Sequence, residues 1–331
     1  MSAVLVEAGP DKGAVWHFGE PVKEQRALEA GIAWADLSHH NIIAVSGVDR
    51  LKWLHDLTTQ FVSDLQPGVW MPNMILDAKG HIEFQFNLVD DGTSTFLVLD
   101  PGYSEQLIEY LTKMKFMLRV EVRDATSEYA VLRAPGAPTS IGGPFALVPR
   151  AEVEQMKETF GGVATQVGTW ALDAERVAKG RPRIGFETDH KSIPNELGVL
   201  NTAVHMKKGC YRGQETVAKV HNLGHPPRRL AFLHLDGSGH FLPSAGDEVF
   251  VVGENGVVEE RSRGHVTIAA QHFESGPIAL ALLSRSVPED APLVVRGESG
   301  EIDAAQEVIV PASAGKAANL PKRNLLMGGK H

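Results

Sequence analysis

Apolar positions recur along this chain with two different periods, and the balance between them shifts partway. The run at residues 42–45 is short and continuous and predicts a buried strand. Leu51, Leu54 and Leu57 then recur at helical spacing, with Asp49 at the capping position. Three more strands are predicted at 74–76, 81–89 and 95–99, with turns at 78–80 and 90–92. Asp100 followed by Pro101 gives the cap-then-proline order that opens a helix, and Leu107, Ile108, Leu111, Met114 and Leu118 form its apolar stripe. An edge strand is expected at 119–123. Hairpins mixed with helices predict an α+β fold.

Residues 135–144 are rich in Pro and Gly and mark a loop or junction, after which helices are predicted at 151–160 and 169–179. From residue 229 the texture is strands alone, at 230–235, 249–252, 264–270, 278–283 and 293–295, with Asn255-Gly256 as a hairpin turn. Several short strands at regular spacing predict a small β-barrel. Residues 312–331 are polar and aperiodic, which suggests a flexible extension.

The chain has 331 residues, enough for two or three domains, and a formal charge of -9. An acidic balance argues against general nucleic-acid binding, which rests on neutralising phosphates. No apolar run approaches the roughly 20 residues of a membrane span, and the first residues lack a signal-peptide pattern. The single cysteine excludes an internal disulfide, and also a cluster or structural zinc held by the chain's own thiolates alone. These features suit the cytoplasm.

That cysteine, Cys210, lies between Gly209 and Gly213 in Lys208-Gly209-Cys210-Tyr211-Arg212-Gly213-Gln214-Glu215. Flanking glycines suggest sharp turns or close backbone approach. Lys207, Lys208, Arg212, Lys219, Arg228 and Arg229 face only one acid, Glu215, across this stretch. A basic island in an acidic chain suggests an anionic small ligand. Cys210 itself has two readings: a buried apolar residue, or a thiol whose pKa the neighbouring cations lower.

The run from His205 to Leu230, HMKKGCYRGQETVAKVHNLGHPPRRL, resembles the signature of the YgfZ family of folate-binding proteins, relatives of the T-protein (aminomethyltransferase) of the glycine cleavage system. Residues 35–39, 45–49 and 57–59 resemble the start of the T-protein-like region; 185–187 and 193–196 resemble its second half, and 229–311 its barrel. The resemblance implies three lobes around a central channel. Two intertwined α+β lobes with antiparallel sheets would occupy residues 1–228, a C-terminal β-barrel 229–311, and a tail 312–331. The implied cofactor is tetrahydrofolate or a related reduced folate. Cys210 is implied as the functional thiol, with Lys208 beside it in a catalytic role. Met74, Arg176, Glu187, Asn195, Tyr211, Gln214 and Arg228 are implied as cofactor-binding residues, with no metal. Arg228 and Lys219 are candidates for the glutamate tail of folate, because a guanidinium pairs bidentately with a carboxylate. Iron–sulfur enzymes or their assembly proteins are the implied partners, with no nucleic acid and no membrane.

Two departures separate the chain from the transferase. The turn Lys79-Gly80-His81-Ile82 should lead to an acid facing the reacting folate nitrogens, yet Phe84 and Gln85 stand there; Glu83, one place earlier, should point to the opposite face unless a bulge shifts the register. The transferase's pterin-holding Glu is also missing from Arg176-Val177-Ala178-Lys179-Gly180. Aminomethyl transfer is therefore disfavoured, and a role in making or maintaining iron–sulfur enzymes is preferred. A folate-dependent transferase or demethylase, and a non-catalytic ligand sensor, are the alternatives. His221 and His225 are disfavoured as a metal pair because Gly224 and the following Pro226-Pro227 disfavour the helix that would bring them to one face. Asp36 and Ser38 are expected to cap rather than line the channel, His39-His40 to lie in a loop, and Trp53 and Trp70 to be core or lobe-interface residues rather than pterin stackers.

Overall fold

The computed structural model describes residues 3–135, 139–140, 143–315 and 317. The first lobe is a five-stranded sheet in the spatial order Met71–Leu76, Ile82–Asp90, Ser94–Leu99, Asn41–Ser46, Glu121–Asp124, all neighbours antiparallel. Along Ile82–Asp90 the buried positions alternate, so Phe84, Phe86 and Leu88 share one core with Leu54, Leu57, Leu107 and Leu111 of the helices Arg50–Leu57 and Ser104–Met114. Ile42, Ala44, Phe96 and Val98 line the other face and meet Val131, Tyr129 and Phe145 of a second sheet. That sheet runs Thr139–Ser140, Gly143–Pro149, Tyr129–Arg133, Ala33–Asp36, Thr165–Gln166, the last pair parallel. Full burial of a side chain such as Leu54 contributes roughly 1.5–3 kcal/mol.

The strands Arg228–Leu235, Gly276–Ser284, Gly264–His272, Glu248–Val251, Leu293–Gly297 and Gly300–Val308 close into a six-stranded barrel. Ala231, Leu233 and Leu235 fill its interior, while Leu230 and Phe232 point out and pack on Ala174 and Val177 of the helix Thr169–Ala178 and on Val217 of the helix Gln214–Leu223. Ion pairs from Arg228 to Asp189 (2.6 Å) and Glu196 (2.9 Å), and a hydrogen bond from Thr267 Oγ1 to Glu187 (2.8 Å), bind the barrel to the preceding chain. The α+β fold with antiparallel sheets and a C-terminal barrel is therefore as the sequence indicated.

Several local expectations change. The helix after residue 100 begins at Ser104, and Asp100 accepts from Arg183 Nε at 2.7 Å instead of capping. Asp49 precedes its helix but makes no capping bond; its carboxylate takes the backbone N–H and guanidinium of Arg119. Asp36 bonds Ser38 N (2.9 Å) and Lys157 (2.9 Å). The sequence pattern missed an N-terminal hairpin, Val4–Leu5 with Val15–His17, and the helix Pro21–Glu29. The extension expected from Ala312 starts out docked: Ala317 N donates to His221 O (3.0 Å) and His225 Nδ1 to Ala314 O (2.7 Å). Residues 318–331 lie outside the described residues.

Candidate functional site

A cavity of about 510 Å³ opens between the two sheets, the helix Thr169–Ala178 and the loop that follows it. One side is apolar and aromatic: Leu37, Trp70, Phe86, Val131, Phe145 and Leu172. Trp70, buried between the two sheets as a core or interface residue, also contributes to this wall, its ring 5.5 Å from that of Phe145. The other side is densely charged, and nearly every charge on it is matched. Arg133 holds Glu175 through two bonds (2.6 and 3.1 Å). Arg176 spans Asp173 (3.3 Å) and the fully buried Glu187 (2.7 Å). Arg183 takes both oxygens of Asp11 (2.6 Å each) and Asp100.

Burial on this wall would raise the pKa of Asp11, but bonds from Arg183 and His39 hold it well below the usual carboxylate range. Burial pushes the Asp173 pKa up, since its ion pair to Arg176 is long at 3.3 Å. Burial drives the His40 pKa down to about 4, so this imidazole is neutral at pH 7. Asp11, His39 and His40 bring their donor atoms within 4.8 Å of one another. Arg183 already supplies the positive charge that Asp11 balances, so the cluster is an ion-pair network and not a cation cage.

Arg181 differs from its neighbours. It lies on the cavity wall, partly buried, with no hydrogen bond or ion pair to its guanidinium among the described residues, and burial lowers its pKa. Two further polar atoms at the cavity margin are buried without partners among the described residues, Gln85 Oε1 and Arg176 Nη2. The amide orientation of Gln85 is fixed, because its Nε2 donates to Pro182 O (3.1 Å), an atom that can only accept.

The cysteine motif stands apart from this cavity. Lys208 and Tyr211 turn inward while Cys210 is exposed, so the buried-apolar reading of the thiol fails. Lys208 Nζ donates to the carbonyls of His55, Thr58 (2.6 Å) and Gln60 (3.0 Å), tying the motif to the end of the helix Arg50–Leu57. Burial pushes its pKa down to about 8, yet three acceptors engage all three ammonium protons. Its expected catalytic role thus gives way to a structural one. Gly213, at φ +81°, leaves no room for a Cβ, which would lie 2.5 Å from Asp77 O; Gly209 is open, so only one flanking glycine marks a close approach.

Of the residues singled out for cofactor binding, only Arg176 lines the cavity. Met74 and Tyr211 are core; Gln214 bonds Lys208 O (3.2 Å) and Asn195 bonds Val217 O (3.3 Å). Glu187 is a buried hub that accepts from Arg176, Arg183 N and Thr267. Arg228 is taken up by Asp189 and Glu196, and Arg229 is fully buried in the barrel with Gln306. The basic island is therefore mostly internal pairing. A register shift does occur opposite Ile75 and Leu76, leaving Glu83 as the extra residue. It sends Glu83 to Arg212 (2.8 Å) in an outer groove, away from the main cavity. The residues that sequence reasoning missed are Asp11, His39, His40, Arg181 and Arg183; the Arg-Pro-Arg run between Gly180 and Gly185 was the available signal.

Among the described residues no helix is long and apolar enough to cross a membrane. No protein-family model matches the chain. A tRNA-modifying protein YgfZ of Aliivibrio fischeri is 33% identical over 37% of this chain and 36% of its own length. A mitochondrial iron-sulfur cluster assembly factor of Mycosarcoma maydis, an IBA57 homolog, is 23% identical over 70% of this chain and 65% of its own. The matches thus span less than two thirds of these relatives' own length. The glycine cleavage system aminomethyltransferase T of Bartonella henselae superposes with a TM-score of 0.77 at 16% identity, over 94% of both chains, which establishes the fold alone. The chain is accordingly similar over part of its length to YgfZ-type proteins and carries the fold of the glycine cleavage aminomethyltransferase.

Proposed function

We propose that the cavity binds a reduced folate and that the protein serves, with that ligand, as an accessory factor for iron–sulfur enzymes. The observation that carries this is the pairing of an aromatic-walled slot with Arg181, a partly buried cation lacking an internal partner. A pterin and aminobenzoyl group suit the apolar wall, and a glutamate carboxylate suits the guanidinium. Gln85 Oε1 and Arg176 Nη2, buried without partners, lie where small rotations would offer an acceptor and a donor to a ring amide edge. No step of aminomethyl transfer is assigned, because Gln85 replaces the acid and Glu83 is bound to Arg212 outside the cavity.

In this reading Cys210, exposed on a rigid turn, meets a partner protein or its cluster as cargo while the folate stays in the cavity. Residues 1–228 and 229–311 act as the two structural units. The names of the relatives, one for iron–sulfur cluster assembly and one for tRNA modification, support looking at both outcomes. The test is complementation of cells lacking the protein by wild type, Cys210→Ala and Arg181→Gln. Both variants should fail to restore iron–sulfur enzyme activities, with Cys210→Ala still binding tetrahydrofolate. Full restoration by Cys210→Ala would remove the thiol from the account. Restored tRNA modification with unchanged iron–sulfur activities would replace the proposed role by the one named for the YgfZ relatives.

A further inference from the structure

The N-terminal hairpin is anchored in an unusual way. Among residues 3–17 only Asp11, at its tip, is buried. The strand Val4–Leu5 is exposed and Val15–His17 is partly buried, held at the hairpin's base by Trp16 stacked on Trp170 (ring centroids 4.7 Å apart), by His17 edge-on to the same ring (5.6 Å) and by the Trp16 backbone packed against Gly168. Asp11 reaches the cavity wall and covers Nη1 and Nη2 of Arg183, the fork that matches a carboxylate bidentately. Nε of the same guanidinium is held by Asp100, and its face lies 5.0 Å from the Phe186 ring. Arg183 is therefore oriented and desolvated like a carboxylate receptor, and a carboxylate from its own chain fills it.

A second, outer cleft of about 400 Å³ runs beneath the hairpin and shares His39, Thr169 and Leu172 with the main cavity. The tip thus stands between the outer cleft and the cavity. We propose that Asp11 is an intramolecular stand-in for a ligand carboxylate, and that a carboxylate-bearing ligand binds Arg183 by displacing the hairpin tip. This rests on the folate reading of the cavity and extends it. The glutamate end of a folate carries two carboxylates, one for the unpaired Arg181 and one for Arg183. The exchange is isoelectric: one carboxylate leaves Arg183 as another arrives, so no buried guanidinium is left half-matched. The hairpin then lowers apparent affinity by the fraction of molecules in which it is closed.

The test is calorimetric titration with p-aminobenzoyl-glutamate, which has the tail but no pterin, on wild type, Asp11→Ala, Asp11→Asn and the double variant Asp11→Ala with Arg183→Gln. Removing the competitor should tighten binding about tenfold or more in both single variants, and the double variant should lose that gain. Saturating wild type with the probe should speed amide hydrogen exchange across residues 4–17. If Asp11→Ala proves unstable, Asp11→Asn, which keeps the shape and loses the charge, decides the matter. Unchanged or weaker binding in a variant that melts like wild type overturns the proposal, as does hairpin exchange that ignores the probe. No binding to any form also overturns it. Tetrahydrofolate titration of the unaltered protein judges the folate reading separately, and failure there with tight probe binding to Asp11→Ala would leave Arg183 masking intact.

Discussion

Replacing Lys208 by Met is expected to unfold the protein at markedly lower denaturant, because this side chain holds the end of a helix and not a substrate. Its ammonium serves three carbonyls, of which Thr58 O is the most enclosed, and the residue is 6% exposed. A buried acceptor left unmatched costs about 1–3 kcal/mol. The carbonyls of His55 and Gln60 are less enclosed and can recover water, and removing the ammonium relieves its own desolvation. The net loss should therefore be about 1–3 kcal/mol. With a urea m-value of about 3 kcal/mol/M, the midpoint should fall by about 0.3–1 M. Urea titration followed by tryptophan fluorescence and circular dichroism measures it, with coincident transitions as the check on a single step. A Lys208→Met midpoint within about 0.2 M of wild type would refute the reasoning and return Lys208 to the list of catalytic candidates.

Three further outcomes follow from the same geometry. The His40 imidazole, unprotonated in the fold down to a pKa of about 4, must take up a proton on unfolding below about 6.5; its contribution is present above 6.5 and is lost as pH falls through 4, roughly 3 kcal/mol in all, and His40→Gln should flatten the fall in urea midpoint between pH 7 and 4.5. Cys210 should react fully with a thiol reagent in the native protein, at a rate that saturating tetrahydrofolate does not change, since the sulfur is exposed and off the cavity wall; protection by the ligand would contradict that separation. Gly213→Ala should cost about 2 kcal/mol or more in thermal melts, while Gly209→Ala should cost less than about 0.5 kcal/mol, and equal costs would show that the turn is not as described.

The sequence read well where one signal dominated. The period-two run of Ile82–Asp90 and the strand-only texture after Arg229 set the first sheet and the barrel, because packing and propensity agree there. It read poorly at the N-terminus, whose hairpin is held by one buried charge and the packing of Trp16 and His17 on Trp170, and carries no apolar period. The motif around Cys210 was legible as a motif and misleading as a free basic patch. A local run of cations says nothing about the acids that other segments bring, and Glu83 pairs with Arg212 while Asp189 and Glu196 pair with Arg228 from far along the chain. Arg181 and Arg183 show the converse. Two positions apart they look alike in sequence, and only the fold gives Arg183 a partner while leaving Arg181 without one among the described residues.

Direct titration of the purified protein with tetrahydrofolate, beside Arg181→Gln and Cys210→Ser, tests the central claim. The account predicts saturable binding, about tenfold weaker in Arg181→Gln and unchanged in Cys210→Ser. No saturable binding to wild type, or equal affinity in Arg181→Gln, would contradict it.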